Sequence, residues 1–149
     1  MVQLPFLIFA DMKQAESQED DVSIEGMRIL LAEDNELNME VAEFLLTNAG
    51  AEIIKASNGK EAVEAFAKSG VGEINVILMD IMMPVMDGME ATREIRTMNR
   101  SDASAVVIIA MTANAFAEDK SKALKAGMDE YLTKPLESEK LIRALSRYK

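Results

Sequence analysis

The stretch INVILMDIMMPVMDG, residues 74–88, decides the fold. Residues 74–79, apolar apart from Asn75, form a run of strand length bounded by turn signals, the pattern of a strand covered on both faces. The run gives way to Asp80 and then to a loop punctuated by Pro84 and Gly88. A carboxylate therefore stands at the rim of a sheet, where open α/β folds place their chemistry. Three other apolar runs end in equally pointed residues: 29–32 in Glu33 and Asp34, 106–111 in Thr112, and 131–133 in Lys134. Acids, a hydroxyl and an ammonium at the ends of separate strands suit a divalent cation and a phosphoryl group.

Outward from that stretch, apolar runs alternate with amphipathic segments of helix length, which predicts an α/β fold: a parallel sheet covered by helices on both faces. The expected strands are 27–32, 52–56, 74–79, 105–111 and 131–133, and the expected helices are 37–48, 60–68, 89–98, 115–126 and 138–147. In the first helix Val41, Phe44, Leu45 and Ala49 are expected to face inward. The third is expected to bury Ala91, Ile95 and Met98, and the fifth Leu141, Ile142 and Leu145. Right-handed crossovers favour the doubly wound order 2-1-3-4-5. In that order strands one and three are neighbours, and Glu33 and Asp34 lie beside Asp80.

The 149 residues suit a single folded unit, expected to start near Met27, with residues 1–26 as a tail and acidic linker and 27–149 as the domain. Residues 11–25 carry acids, Gln and Ser with little apolar periodicity. There is no Cys and no His, so any bound metal must be held by oxygen, which favours Mg²⁺, Mn²⁺ or Ca²⁺. The chain cannot itself carry a phosphohistidine, so a partner must bring it. Acidic residues outnumber basic ones 26 to 16, a net charge of −10 that repels phosphate backbones and anionic lipid. Direct nucleic-acid binding and membrane contact are not expected. The apolar stretch 4–10 is too short to span a bilayer, and a cytoplasmic location is expected.

Each pair of carboxylates about 4 Å apart at an effective dielectric near 20 costs roughly 4 kcal/mol, so three converging acids require a positive partner. Mg²⁺ binds one or two carboxylates and leaves positions for phosphate oxygens, and Lys134 adds a permanent charge. Asp80 would then attack a phosphoryl donor and form an acyl phosphate. Blander readings exist for each residue. Asn35 or Asn38 could cap a helix beside a solvated acid pair, Thr112 could be another cap, Lys134 a surface lysine, and Asp87-Gly88 an ordinary turn. Separately they do not account for complementary chemistry at the same end of four strands.

The segments LLAEDNELN, VILMDIMMPVMDGMEA, VIIAMTANAF and AGMDEYLTKP resemble the receiver domain of two-component signalling, from Met27 to the C-terminus. The resemblance implies a flavodoxin-like fold with five helices. It also implies that Asp80 is the phosphoacceptor, Asp34 a direct Mg²⁺ ligand (Mn²⁺ being an alternative), and Glu33 a second acid acting through a metal-bound water. The Met82 backbone carbonyl would complete the protein ligands. Thr112 and Lys134 would grip the phosphoryl oxygens, and Pro135 would follow a bond that is commonly cis in the family. Tyr131 takes the switch-aromatic position: as Thr112 moves to the phosphoryl group the ring moves too, remodelling the face of helix four, strand five and helix five. The implied partner is a histidine kinase or a histidine phosphotransfer domain.

Two departures matter. Glu33 replaces the more usual Asp with a longer arm. Met82 sets an apolar side chain beside the phosphoryl site and cannot orient a hydrolytic water, which leaves Asn114 as the polar residue expected to tune dephosphorylation. AEDNELN and MTANAF are similar to receivers of hybrid sensor histidine kinases, and residues 2–6, VQLPF, resemble the closing strand of a kinase ATP-binding domain. No output domain is expected after the last helix. The expectation is part of a larger sensor kinase, with a free-standing phosphorelay receiver as the alternative. The chain would catalyse only its own phosphorylation and dephosphorylation. A Mg-dependent aspartyl-phosphate phosphatase is disfavoured because Ile81, Met82 and Met83 supply no second acid. A pseudo-receiver acting only as an interaction module is disfavoured because all the site positions hold competent residues.

Overall fold

In the computed structural model, residues 22–113 and 117–149 are described. Residues 2–6, most of the acidic segment and Asn114 lie outside them. The elements run β1 (Arg28–Ala32), α1 (Glu36–Asn48), β2 (Glu52–Ala56), α2 (Gly59–Lys68), β3 (Val76–Asp80), α3 (Gly88–Arg96), β4 (Val107–Thr112), α4 (Ala117–Ala126), β5 (Glu130–Thr133) and α5 (Ser138–Ser146). The strands form one parallel sheet in the order β2-β1-β3-β4-β5.

Alternation along the strands divides the core in two. Leu30, Ala32, Ile77, Met79, Ile108 and Ala110 face one layer, packed with Phe66 of α2 and Ile95 of α3. Ile29, Leu31, Val76, Leu78, Ile109 and Met111 face the other, packed with Leu46 of α1 and with Leu141 and Leu145 of α5. Both faces are covered, which is why the strand sequences read as unbroken apolar runs. Burying a side chain such as Phe66 contributes about 1.5–3 kcal/mol.

Helix starts follow local capping chemistry. The side chains of Asn35, Asn58 and Asp87 accept hydrogen bonds from the backbone N–H groups of Asn38, Glu61 and Glu90 at 2.9, 2.9 and 2.8 Å, opening α1, α2 and α3.

One expectation changes. The inner face of α1 is Ala42 and Leu46, with Leu45 and Ala49 half-buried, whereas Val41 and Phe44 are 47% and 67% exposed. That helix carries apolar residues on both sides, so periodicity alone picked a mixed face. Ahead of Met27, Ile24 is fully buried in the α1/α5 layer and its carbonyl accepts from the Met27 N–H at 3.0 Å. One apolar residue in a polar stretch leaves no periodic signal.

Candidate functional site

Register alone brings the rim residues together. Ala32 pairs with Met79 across β1 and β3, so Glu33 and Asp80 leave the sheet side by side. Asp80 pairs with Met111, and Thr112 pairs with Thr133 just before Lys134. Backbone hydrogen bonds extend this pairing past the strand ends: Glu33 N–H to Ala56 O at 3.0 Å, Ile81 N–H to Met111 O at 3.1 Å, and Lys134 N–H to Thr112 O at 2.7 Å.

Carboxylate oxygens of Glu33, Asp34 and Asp80 all lie within 4.8 Å of one another. Glu33 and Asp80 are buried, while Asp34 is exposed at the mouth. Lys134 bridges the two buried acids, its Nζ donating to Glu33 Oε2 at 2.6 Å and to Asp80 Oδ2 at 2.9 Å. The Met82 N–H reaches Asp80 Oδ1 at 3.3 Å, and the Asn35 N–H donates to Glu33 Oε1 at 3.2 Å.

Burial pushes the Asp80 carboxyl up to about 6; the Lys134 hydrogen bond opposes this and the Glu33 charge adds to it. For Lys134 burial works against the charge, yet the hydrogen bonds to Glu33 and Asp80 outweigh it and raise its pKa. One cation thus faces three acids. An oxygen-only donor set with an unbalanced negative charge fits a hard divalent cation such as Mg²⁺.

The loop after Asp80 is held by close backbone approaches. The Gly88 N–H donates to Ile81 O at 3.0 Å, and a Cβ on Gly88 would stand 2.1 Å from the Asp80 carbonyl oxygen. Gly59, opening α2, donates to Met86 O at 2.9 Å, where a Cβ would meet that oxygen at 2.4 Å. Neither role was foreseen, since a glycine at a helix start reads only as permissive. Within the loop Val85 has φ of 68°, a backbone conformation that β-branched residues seldom adopt.

The remaining expected residues take several positions. Thr112 is buried at the end of β4. The Lys134–Pro135 peptide bond is cis. Tyr131 lies level with Ala110 on β5, half-buried, with Lys120 Nζ of α4 4.4 Å from its ring centroid. Beside the acids runs an open groove of roughly 480 Å³, lined by Leu37, Val41, Met111, Pro135 and Leu136 with Glu33 and Lys134 at its polar end. This groove was not anticipated, because it is made of the α1 residues expected to face inward or left unassigned.

The family model for the response regulator receiver domain matches residues 29–146, and the chain belongs to that family. It is 39% identical over 121 residues to the hybrid signal transduction histidine kinase I of Dictyostelium discoideum, covering 80% of this chain and 7% of that protein. To the sensor protein GacS of Pseudomonas syringae it is 35% identical over 128 residues, covering 85% and 14%. The chain thus spans only a small part of the curated relatives it matches.

Among solved structures, it is similar to the receiver domain of a Pseudomonas aeruginosa sensor histidine kinase, described with a magnesium ion coordinated in its active-site cleft. The TM-score is 0.75 and the identity 41%, covering 83% of this chain and 97% of that one. It is similar too to the receiver domain of a Saccharomyces cerevisiae response regulator co-crystallised with a histidine phosphotransfer protein, with TM-score 0.73, 30% identity, and coverage of 83% and 89%. Among the described residues no helix is long and apolar enough to cross a membrane.

Proposed function

We propose that Asp80 takes a phosphoryl group from a phosphohistidine on a partner protein, in a Mg-dependent reaction. The observation that carries this is the joint placement of Glu33, Asp34, Asp80 and Lys134 at one point of the rim. Glu33, Asp34, Asp80 and the Met82 carbonyl would hold Mg²⁺ or Mn²⁺. When bound, that ion supplies positive charge to the carboxylates and to the incoming phosphoryl oxygens.

An Asp80 oxygen forms the new bond to phosphorus as the phosphorus–nitrogen bond to the donor imidazole breaks, leaving its electron pair on the ring nitrogen. Lys134, already on Asp80, balances charge on the phosphoryl oxygens. Thr112 donates its hydroxyl to one of those oxygens from the neighbouring strand. Its movement is passed to Tyr131 and so to the α4/β5/α5 face, a two-state element biased by a local charge. Leu37, Val41 and Phe44 form an apolar surface on α1 next to the site, suited to the helical surface of a histidine phosphotransfer domain or histidine kinase.

By this reading the chain acts in the cytoplasm as the receiver part of a hybrid histidine kinase, and the 39% and 35% identity to parts of two sensor kinases supports it. Incubation with Mg²⁺ and acetyl phosphate tests the chemistry. One acid-resistant, base-labile phosphate per chain is expected, absent from Asp80→Asn. Equal labelling of Asp80→Asn would show that the acceptor lies elsewhere.

A further inference from the structure

We propose that Lys120 of α4 is a positioning residue that holds the Tyr131 ring at rest and so sets how strongly the switch opposes a phosphoryl group. The inference rests on Asp80 being the acceptor and Tyr131 the switch aromatic. Lys120 Nζ stands 4.4 Å from the Tyr131 ring centroid, inside the roughly 6 Å over which an ammonium is drawn to the face of an aromatic ring. The other such pair among the described residues, Arg100 and Phe66, has its ring fully buried in the core. Tyr131 is half-buried, so its cation sits on a ring at the edge of the packing.

Helical geometry places the lysine there. Three residues on, Ala123 is buried in the layer that also holds Ile108 and Ala110; four residues on, Leu124 is 60% exposed. Lys120 therefore starts at the seam between the inner and outer sides of α4, and its stem runs along the boundary of core and solvent. Its tip reaches β5, which ends the sheet with β4 as its neighbour. Among the described residues no further strand walls the ring in.

Register gives the ring a direction in which to move. Tyr131 lies opposite Ala110, and both belong to the same core layer. Thr112, two residues further along β4, projects to that same side of the sheet. The β4 side chain level with the ring is thus a single methyl group, which does little to oppose a shift toward Thr112. Such a shift has to take the ring away from the ammonium of Lys120.

The two ring positions form an equilibrium, and a contact made in one of them biases it. A cation–π contact at a partly exposed site corresponds to roughly a two- to fivefold bias toward rest. While the resting position dominates, a phosphoryl group that favours the shifted ring binds more weakly by that factor. Removing the contact therefore tightens binding at Asp80. Charge alone has the opposite sign, because taking a cation away from a site that receives an anion weakens binding.

The test uses the full chain with ¹³C in its tyrosine rings; Tyr131 and Tyr148 are the two tyrosines, and Tyr148→Phe assigns their signals. Beryllofluoride with Mg²⁺ stands in for the phosphoryl group on Asp80 and is titrated while the Tyr131 signal is followed. Lys120→Met keeps the stem and removes the charge; its midpoint is expected at a beryllofluoride concentration roughly two- to fivefold below that of wild type. Lys120→Arg keeps a cation for the ring and is expected to restore the wild-type midpoint. A Lys120→Met midpoint equal to or above that of wild type, or a Lys120→Arg midpoint as low as that of Lys120→Met, overturns the proposal alone. A wild-type Tyr131 signal that stays in place although acetyl phosphate labels Asp80 overturns the switch role of Tyr131, and this inference with it. Failure of Asp80 to label overturns the phosphoacceptor reading as well.

Discussion

The two rims of the sheet are built on opposite electrostatic principles. At the amino ends of the strands, arginines are spent on closing loops. Arg96 donates to the carbonyls of Gly127, Ala103 and Val106 and to Asp129 Oδ2 at 2.9, 3.1, 2.6 and 2.9 Å. Asp129 Oδ2 in turn accepts from the Ile108 N–H at 2.9 Å. Arg100 lies 4.2 Å from the Phe66 ring centroid, caps the end of α2 through the Phe66 and Ser69 carbonyls, and forks onto Asp102. Cations and acceptors are matched there. At the carboxyl rim Lys134 pairs with Glu33 and Asp80, and a third carboxylate, Asp34, converges on the same point. One rim is saturated and holds the fold; the other keeps an imbalance that a cation and a phosphoryl group can use.

Variants that separate stability from chemistry would break this contrast or sharpen it. The largest effect is expected for Gly88→Ala. The obstacle to its Cβ is the Asp80 backbone itself, and a forced shift of strand end or helix start costs about 4 kcal/mol or more. Urea unfolding should show the loss, and labelling of the folded fraction should fall with it because Asp80 moves.

Next comes Arg96→Met, which keeps the apolar stem but removes the guanidinium from three part-buried carbonyls and from Asp129, which keeps the Ile108 N–H. We expect a loss of about 3–4 kcal/mol, read as a lower denaturation midpoint, with acetyl phosphate labelling of the folded protein unchanged. A labelling defect equal to that of Asp80→Asn would show the rims to be coupled rather than divided in labour.

The third prediction uses pH without a divalent cation. The Asp80 carboxyl titrates at about 6 in the fold against an ordinary value of 3.8, so between these values the folded chain holds a proton that the unfolded chain has released. Stability from this group is therefore full below about pH 4 and falls as pH rises through 6, by at most about 3 kcal/mol. Asp80→Asn should flatten that slope and be the more stable protein at pH 7. A wild-type stability that instead rises across the window would contradict the assigned shift. Mg²⁺ should restore stability above pH 6, where the ligand is ionised.

The smallest change is expected for Val85→Gly. Val85 is 77% exposed, so little burial is lost. Relief of the left-handed backbone, about 1–2 kcal/mol, is largely offset by the freedom glycine adds to the unfolded chain, for a net gain below roughly 1 kcal/mol. A destabilised variant would mean that the valine side chain is held by something beyond its backbone.

Much of the carboxyl rim was legible in the sequence, because a buried strand that stops at a polar side chain advertises both its end and its chemistry. Asp80, Glu33 and Lys134 were read that way, and the sheet order then implied their meeting. The amino rim was silent. Arg96 and Arg100 act on backbone carbonyls, which every residue has, so no sequence pattern marks them. The direction of α1 was misread for another reason: Val41 and Phe44 are apolar yet exposed, and hydrophobic spacing does not say which of two apolar sides of a helix meets the core. Ile24 escaped because a lone apolar residue has no period.

Parallel pairing has a last consequence for how this rim can vary. Neighbouring strands lie about 4.8 Å apart, and successive side chains point to opposite faces. Ala32 opposite Met79, and Thr112 opposite Thr133, set where Glu33, Asp80 and Lys134 emerge. Swapping one side chain for another alters a single instrument in the ensemble, whereas deleting one residue inside β1 or β3 turns a carboxylate to the wrong layer. Such a rim can drift in spelling for a long time, but not in length.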